Sequence, residues 1–231
     1  MFIVIGCVVG QLLVSFGGDS GRVVGSKRGF RNEKKLFAKL FLACTDGDLN
    51  TATELLQIDG IDVNMRYSGI TPLMGACRTG HADIVKVLLK KKEIQVNKVS
   101  NEGATPLLAA CENGHFDVVQ VLLTRKEIQI NQVDNREMTP LFVACHEGHL
   151  EVVQALLTRK EILINQADND GVTPLYLACH EGHFDVVQLL LTQKEIRINQ
   201  ANANGQTPLF AATLHGHTEI ANLLQLHGAK S

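Results

Sequence analysis

The stretch TPLLAACENGHFDVVQVLLTRKEIQIN, Thr105–Asn131, decides the fold because it holds two short helices and the turns that bound them. Thr105 is a candidate N-cap, and Pro106 suits the first helical position, where its missing N–H leaves no bond unmade. Gly114 is expected to end this helix in left-handed backbone. A second helix is predicted to begin near Phe116.

Each predicted helix has one apolar face at helical spacing. The apolar positions of the two helices are Leu107, Ala110, Cys111, Val118, Val119, Leu122 and Leu123. Both helices are shorter than the ~12–15 residues that hold an isolated helix in water. Each pair must therefore be stabilised by neighbouring elements.

The segment after the second helix leads into a turn. Ile128 and Ile130 alternate with polar neighbours, which is typical of extended backbone. We expect Asn131 to begin this turn in left-handed backbone, because asparagine tolerates that conformation and its side chain can bond within its own turn.

The stretch is one of five copies spaced 34 residues apart. Gly-His follows each Thr-Pro-Leu at a constant distance, and a degenerate unit precedes the first copy. Such a period predicts a solenoid of stacked helix pairs with one continuous core. The copies of Thr-Pro-Leu begin at Thr71, Thr105, Thr139, Thr173 and Thr207.

The composition is that of a globular protein, with 45% hydrophobic and 20% charged residues. A net charge of −2 gives no electrostatic case for binding nucleic acid, and no stretch reaches the roughly 18 apolar residues that span a bilayer. We therefore expect no nucleic-acid partner and no firm membrane association.

The pattern G.TPL...C..GH...V..LL.....I..N, repeated across Arg66–Ser231, resembles the ankyrin-repeat family, and Leu40–Asn64 resembles its N-terminal capping repeat. The resemblance implies an all-α solenoid of helix-turn-helix units with hairpin-like turns. Glu137 departs from the pattern at a turn position where the other copies have glycine. The predicted units are an apolar N-terminal segment with a basic linker, 1–31, expected to be disordered, and a repeat domain 32–231 comprising the cap 32–65 and repeats 66–99, 100–133, 134–167, 168–201 and 202–231.

The motif ACHEGH, at Ala144–His149 and again at Ala178–His183, combines the residue types of zinc sites and cysteine nucleophiles. Its cysteine and Gly-His belong to the repeat, and only His146 and Glu147 vary between copies. Zinc needs nitrogen ligands at about 2.1 Å, whereas packed helices lie ~8–10 Å apart. We therefore predict no metal, no cofactor and no enzyme, with a Cys/His/Glu enzyme or metal site as the remote alternative.

The other recurring residues have structural interpretations. The cysteines are interpreted as small apolar fillers that stay reduced, which favours a cytoplasmic or nuclear location. The histidines of Gly-His are expected to cap backbone groups with a ring nitrogen. The charged clusters Lys90–Glu93, Arg125–Glu127, Arg159–Glu161 and Gln193–Glu195 are expected to be solvated, with a basic docking strip as the alternative.

The resemblance implies a protein partner bound on the concave face, through the hairpin tips and the C-terminal ends of the inner helices. The near-identical copies also differ most at these positions. The candidates at the tips are Tyr67, Ser68, Ile70, Asn101, Glu102, Ala104, Asn135, Arg136, Met138, Asn169, Asp170, Val172, Ala203, Asn204 and Gln206. The candidates at the helix ends are Arg78, Thr79, Glu112, Asn113, His146, Glu147, His180, Glu181, Leu214 and His215.

Tyr67, Arg78, Arg136 and Met138 are the predicted energetic hot spots, because aromatic and arginine anchors dominate interface energies. The expected function is a monomeric, non-catalytic interaction module or scaffold. A steric inhibitor of a partner enzyme is the alternative.

The apolar stretch MFIVIGCVVGQLLVSF at the N-terminus allows three interpretations. It is a disordered tail or a mis-assigned start, a weak signal or anchor at residues 1–17, or a segment that packs on the open end of the array. Asn32 is the predicted N-cap of a helix that runs from Glu33 through Phe41.

Overall fold

The computed structural model describes residues 27–230, which form twelve α-helices in six helix-turn-helix units. The inner helices are α1 (Lys27–Asp46), α3 (Pro72–Thr79), α5 (Pro106–Glu112), α7 (Pro140–His146), α9 (Pro174–Glu181) and α11 (Pro208–Leu214). The outer helices are α2 (Leu49–Leu56), α4 (Ala82–Leu88), α6 (Phe116–Leu123), α8 (Leu150–Leu157), α10 (Phe184–Leu191) and α12 (Thr218–Leu226).

The helices stack in two parallel rows. Each inner helix contacts the next inner helix, and each outer helix contacts the next outer helix. Hairpin-like turns join the units, and the first is closed by paired backbone bonds between Tyr67 and Ile70 at 2.9 and 3.2 Å. The all-α solenoid predicted from the sequence is confirmed. Within the described range, no helix is both long and apolar enough to cross a membrane.

The inner helices begin as the sequence predicts. The Thr105 side chain accepts a hydrogen bond from the Leu108 backbone N–H at 3.1 Å, and Pro106 occupies the first turn. Gly114 follows the helix in left-handed backbone, with φ of 70°. The same N-cap bond recurs at the other four Thr-Pro-Leu copies.

A single apolar core runs through the array. It includes one cysteine from each of the first five units, all fully or almost fully buried. These cysteines are Cys44, Cys77, Cys111, Cys145 and Cys179, and all five are free thiols. Their burial agrees with the prediction that they act as small apolar fillers.

Helix α1 corrects the predicted N-terminal boundary. It begins at Lys27, so Asn32 lies inside the helix and the prediction that it forms the N-cap is wrong. The segment KRGFRNEKK has five lysines and arginines and one glutamate, residue types that favour helix and here extend it past Gly29. The apolar segment to which the three interpretations apply, residues 1–17, lies outside the described range.

The Gly-His pair forms a contact between neighbouring units. The His149 ring lies over Gly114 of the preceding unit, where an added Cβ would be 2.6 Å from the ring. His149 Nε2 is 3.2 Å from the Glu112 carbonyl oxygen, which only accepts, so Nε2 carries the proton. The ring thus caps a backbone group, as predicted, but at the end of the preceding unit's inner helix. The other histidines of this type, His81, His115, His183 and His217, make the same bond.

Asn131 does not adopt left-handed backbone, so that prediction is wrong. Its side chain crosses to the next unit, where Nδ2 donates to the Glu161 carbonyl at 2.7 Å and Oδ1 accepts from the Leu163 N–H at 3.0 Å. Both ends of the amide are satisfied by one backbone segment. The equivalent residues Asn64, Asn97, Asn165 and Asn199 make corresponding bonds.

Two arginines of the charged clusters are not simply solvated. Arg159 donates to the Leu123 carbonyl of the preceding unit at 2.8 Å and pairs with Glu161 at 2.6 Å. Arg125 makes the same two contacts, with Leu89 and Glu127. The guanidinium groups of Arg125 and Arg159 thus bond to the preceding unit. The prediction that these clusters form only a solvated surface is therefore wrong for these two residues.

We predict that Gly114→Ala and His149→Ala are strongly coupled. The alanine at 114 suffers left-handed strain of about 1–2 kcal/mol and a clash with the ring costing about 1–3 kcal/mol more. In a His149→Ala background the clash disappears, so the double variant should be less destabilised than the sum of the single variants by about 1–3 kcal/mol. Urea unfolding of the four proteins measures the coupling, and additive effects would contradict the proposed contact.

Glu137→Gly should stabilise the protein. Glu137 has φ of 61°, so its left-handed backbone is confirmed, and glycine removes a strain of about 1 kcal/mol. For an array of this size the melting temperature should rise by about 2–4 °C. Gly205 occupies the equivalent turn position with φ of 76° and free space around it, so Gly205→Ala is the reverse control and should lower the melting temperature. A rise for both variants would show that backbone strain is not the cause.

Candidate partner-binding surface

The predicted partner-binding residues lie on the hairpin tips and at the ends of the inner helices, and we call this set the candidate surface. None of them is buried. The half-buried members are Ile70, Ala104, Met138, Val172, His180 and Gln206, and the others are exposed. All of them are thus accessible in the described structure, as a binding surface requires.

Four of the five hairpin tips, from the second to the fifth, are held by a side chain at their base. Asp134 Oδ1 accepts hydrogen bonds from the backbone N–H groups of Arg136 and Met138, both at 2.9 Å. Ser100, Asp168 and Asn202 hold the equivalent turns in the same way. These bonds were not predicted, although the sequence contains a signal for them, because aspartate, asparagine and serine favour such turns.

Arg136 is fixed in position although most of its side chain is in solvent. Its Nε lies 3.2 Å from Oδ2 of Asp134, whose side chain is only 3% exposed against 68% for Arg136. The buried carboxylate therefore orients the guanidinium, which keeps free N–H groups for another molecule. Among the predicted hot spots, Arg136 has the clearest geometric support.

Neighbouring tips are joined by backbone hydrogen bonds. The Asn135 N–H donates to the Glu102 carbonyl at 3.0 Å, and the Ala203 N–H donates to the Asp170 carbonyl at 2.9 Å. These bonds connect the second hairpin to the third and the fourth to the fifth. The five tips thus form a strip in which two pairs are bonded together, so a partner binding there needs to order little of the backbone.

Tyr67 stands at the N-terminal end of the strip. Its ring centroid is 5.0 Å from that of Phe41 on α1, and 36% of its surface is exposed. Aromatic pairs at this distance are favourable, so Phe41 limits the orientations of the tyrosine ring. Tyr67 was predicted from the sequence, whereas Phe41 was not, because its position on α1 gives no indication of this contact.

The candidate surface carries more exposed carboxylates than cations. Its described members include two exposed arginines, Arg78 and Arg136. The exposed carboxylates are Glu102, Glu112, Glu147, Asp170 and Glu181. Partial burial raises the pKa of Glu112; Arg136 opposes the rise, and nearby Glu147 adds to it. The middle of the surface therefore has an excess of negative charge.

The two ACHEGH copies approach each other at the helix ends. His146 Nε2 is 3.8 Å from Glu181 Oε1, and the same oxygen is 2.7 Å from His180 Nδ1. The rings of His180 and His215 have centroids 4.0 Å apart. Units are thus closer at this point than helix spacing alone suggests. Over residues 27–230, however, no three or more His, Cys, Asp or Glu side chains are placed to hold a metal ion.

The motif's cysteines take no part in this row of imidazoles and carboxylates. Cys145 and Cys179 are 0% exposed and lie in the core. Burial raises the pKa of both thiols, and it raises the pKa of Cys44 to about 12. Because the thiolate is the nucleophile, these surroundings oppose nucleophilic catalysis.

Comparison with known proteins agrees with the repeat pattern. A family model for ankyrin repeats (three copies) matches residues 40–134, 94–168, 126–202 and 161–231. Ankyrin repeat domain-containing protein 7 of Homo sapiens is 39% identical over 66 residues, a match that covers 28% of this chain. That match spans 26% of the human protein, about a quarter of its length.

The five core thiols should react slowly in the folded protein. We expect iodoacetamide to label a Cys7→Ser variant at least about a hundredfold more slowly in buffer than in urea, because labelling requires local opening. The substitution removes Cys7, which lies outside the described residues. Mass spectrometry after timed labelling gives the rate at each cysteine, and rapid labelling of Cys145 or Cys179 in buffer would revive the enzyme alternative.

Proposed function

We propose that this chain, which belongs to the ankyrin-repeat family, is a non-catalytic module that binds a protein partner through the candidate surface. Ankyrin repeats are generally protein–protein interaction modules. One observation supports this proposal most strongly. The residues that pack between units are nearly identical from copy to copy, whereas the residues on the hairpin tips differ although hydrogen bonds hold the tips in place.

The rigid strip of tips favours tight and selective binding. Hydrogen bonds within each turn and between neighbouring tips fix the backbone before a partner arrives, so less conformational entropy is lost on binding. Tyr67 and Arg136 are further oriented by Phe41 and Asp134. Such preorganised aromatic and arginine side chains are typical hot spots.

The charges of the candidate surface suit a partner with basic groups opposite its centre. Exposed Glu147 and Glu181 lie beside His146 and His180, and Glu112 adds a third carboxylate. Complementary charge mainly increases the association rate and the selectivity of binding. We therefore expect the association rate to fall as salt is raised.

We also propose a reducing compartment, cytoplasmic or nuclear, for the folded chain. Its five core cysteines are free and buried, and no two of them are joined. Disulfides are rare where thiols are kept reduced, which fits this arrangement.

The test is affinity capture from cell extract with two matched triple variants. Arg78→Ala, Arg136→Ala and His146→Ala together remove two of the predicted hot spots and a third member of the candidate surface, and they should reduce capture of the partner by at least about tenfold. The control replaces Lys126, Lys160 and Lys194 by alanine. These lysines are exposed at equivalent positions in the charged clusters, and their loss should leave capture unchanged.

If capture were lost only in the lysine variant, the partner would bind to a basic docking strip on the charged clusters and not to the candidate surface. Circular dichroism of both variants establishes that they are folded. Equal capture by all three proteins would contradict both surfaces.

A further inference from the structure

The last unit, α11 and α12, leaves three large apolar side chains in solvent. Phe210 is 43% exposed, Leu214 63% and Leu226 84%. Repeat arrays need polar outer surfaces on their terminal units to stay soluble. The exposed apolar side chains of the last described unit therefore form a surface that gains free energy when it is covered.

The repeat shows which direction these side chains face. A Cβ built at Gly75 would lie 2.8 Å from Thr45 and 3.5 Å from Phe41 of the preceding unit. Phe41 and Thr45 therefore point towards the following unit, and their equivalents in the last unit are Phe210 and Leu214. The other residues equivalent to Phe210 are all buried: Met74, Leu108, Phe142 and Tyr176.

Helix α12 contributes the other half of this surface. Gln120, Leu123 and Thr124 of α6 line the groove that faces α8. Their equivalents in α12 are Asn222, Gln225 and Leu226, which are all exposed. We call Phe210, Leu214, Asn222, Gln225 and Leu226 the C-terminal face.

The C-terminal face carries no charged residue. Its central position, Leu214, is Arg78, Glu112, His146 or His180 in the preceding repeats. A symmetric dimer places the same surface on both sides of the interface, so the surface must complement itself. Apolar and amide side chains meet that requirement, whereas a net charge would repel its own copy.

The opposite end of the array does not complement this face. The capping unit has Asp48 where the repeats have the histidine that donates to a carbonyl of the preceding unit. Placed against the last unit, the Asp48 carboxylate would meet the Leu214 carbonyl, and both groups only accept. Lys39 of the cap is exposed at a position where all five repeats have a buried proline.

We propose that the C-terminal face binds the same face of a second copy of this chain, forming a two-fold symmetric dimer. The dimer departs from the monomer that the sequence analysis expects. The last helices are about 10–14 Å long and about 10 Å wide, so the face is smaller than the ~800 Å² per partner of standard interfaces. We therefore expect a dissociation constant in the micromolar range.

The dimer adds to the proposed function without depending on it. Joining two arrays at their C-terminal ends buries Leu214, which belongs to both surfaces, but it leaves the members of the candidate surface in the preceding units exposed and places two such surfaces in one particle. Two linked surfaces bind a repeated or clustered partner more tightly than one surface does.

Sedimentation equilibrium of the full chain, from low micromolar to submillimolar concentration, tests the proposal. The average mass should rise from 25.2 kDa and level off at twice that value. Leu214→Glu with Leu226→Glu should abolish the rise, because two carboxylates would be buried against their copies. The control is Leu42→Glu with Leu163→Glu, at positions of 53% and 54% exposure away from the C-terminal face, and it should behave as the wild type.

Several outcomes would overturn the proposal. They are a wild type that stays at monomer mass throughout, dimers that persist in the Leu214/Leu226 variant, and dissociation by the control alone. Growth beyond two copies would show head-to-tail stacking instead of a closed dimer. If the glutamate variant is unfolded by circular dichroism, Leu214→Ser with Leu226→Ser replaces it and should raise the dissociation constant at least tenfold.

Discussion

The contact between the histidine ring of one unit and the glycine of the unit before it is the constraint on which this array depends. The ring fits only where the glycine has no Cβ, and the glycine is also the residue that ends the inner helix in left-handed backbone. One dipeptide thus ends a helix, sets the distance to the next unit and donates a hydrogen bond to a helix-end carbonyl. This contact holds each pair of short helices, which would be unstable alone, at a fixed distance from the next pair. The positions of the core residues and of the hairpin tips depend on that distance.

The sequence predicted the features that depend on backbone preference and apolar spacing. Thr105 and Pro106 begin a helix and Glu137 adopts positive φ, since each follows from local chemistry. Sequence reasoning failed where a side chain leaves its own unit, as Asn131 and Arg159 do. The 34-residue period shows that such positions recur, but it does not show which backbone groups they reach. The start of α1 differs for another reason: asparagine favours the N-cap position, but the lysines and arginines before Asn32 also favour helix, and α1 begins at Lys27.

The candidate surface shows the same division between local and distant information. Variation between copies identified the exposed positions, and exposure is a property of the repeat that the sequence contains. The orienting contacts were missed, because Phe41 meets Tyr67 from another unit. Asp134 holds Arg136 from two residues away, and that turn was readable. The position of a binding surface can therefore be predicted from repeats alone, whereas its rigidity and the direction of its anchors require the packed array.

The first and last units of a repeat array each have one side that no neighbouring unit covers, and these two sides differ in the described part of the chain, residues 27–230. The capping unit replaces a buried proline by Lys39 and a donating histidine by Asp48, so its outer side is compatible with water and unsuited to another unit. The last unit instead keeps Phe210 at a position that is buried elsewhere and replaces the charged or imidazole side chains of earlier units by Leu214. For the protein to stay soluble, an exposed apolar surface at one end of the array must be small or covered by another surface. A polar cap needs no such covering. The asymmetry of the ends therefore favours pairing of like ends over a growing stack, because only the apolar end gains free energy when it is covered.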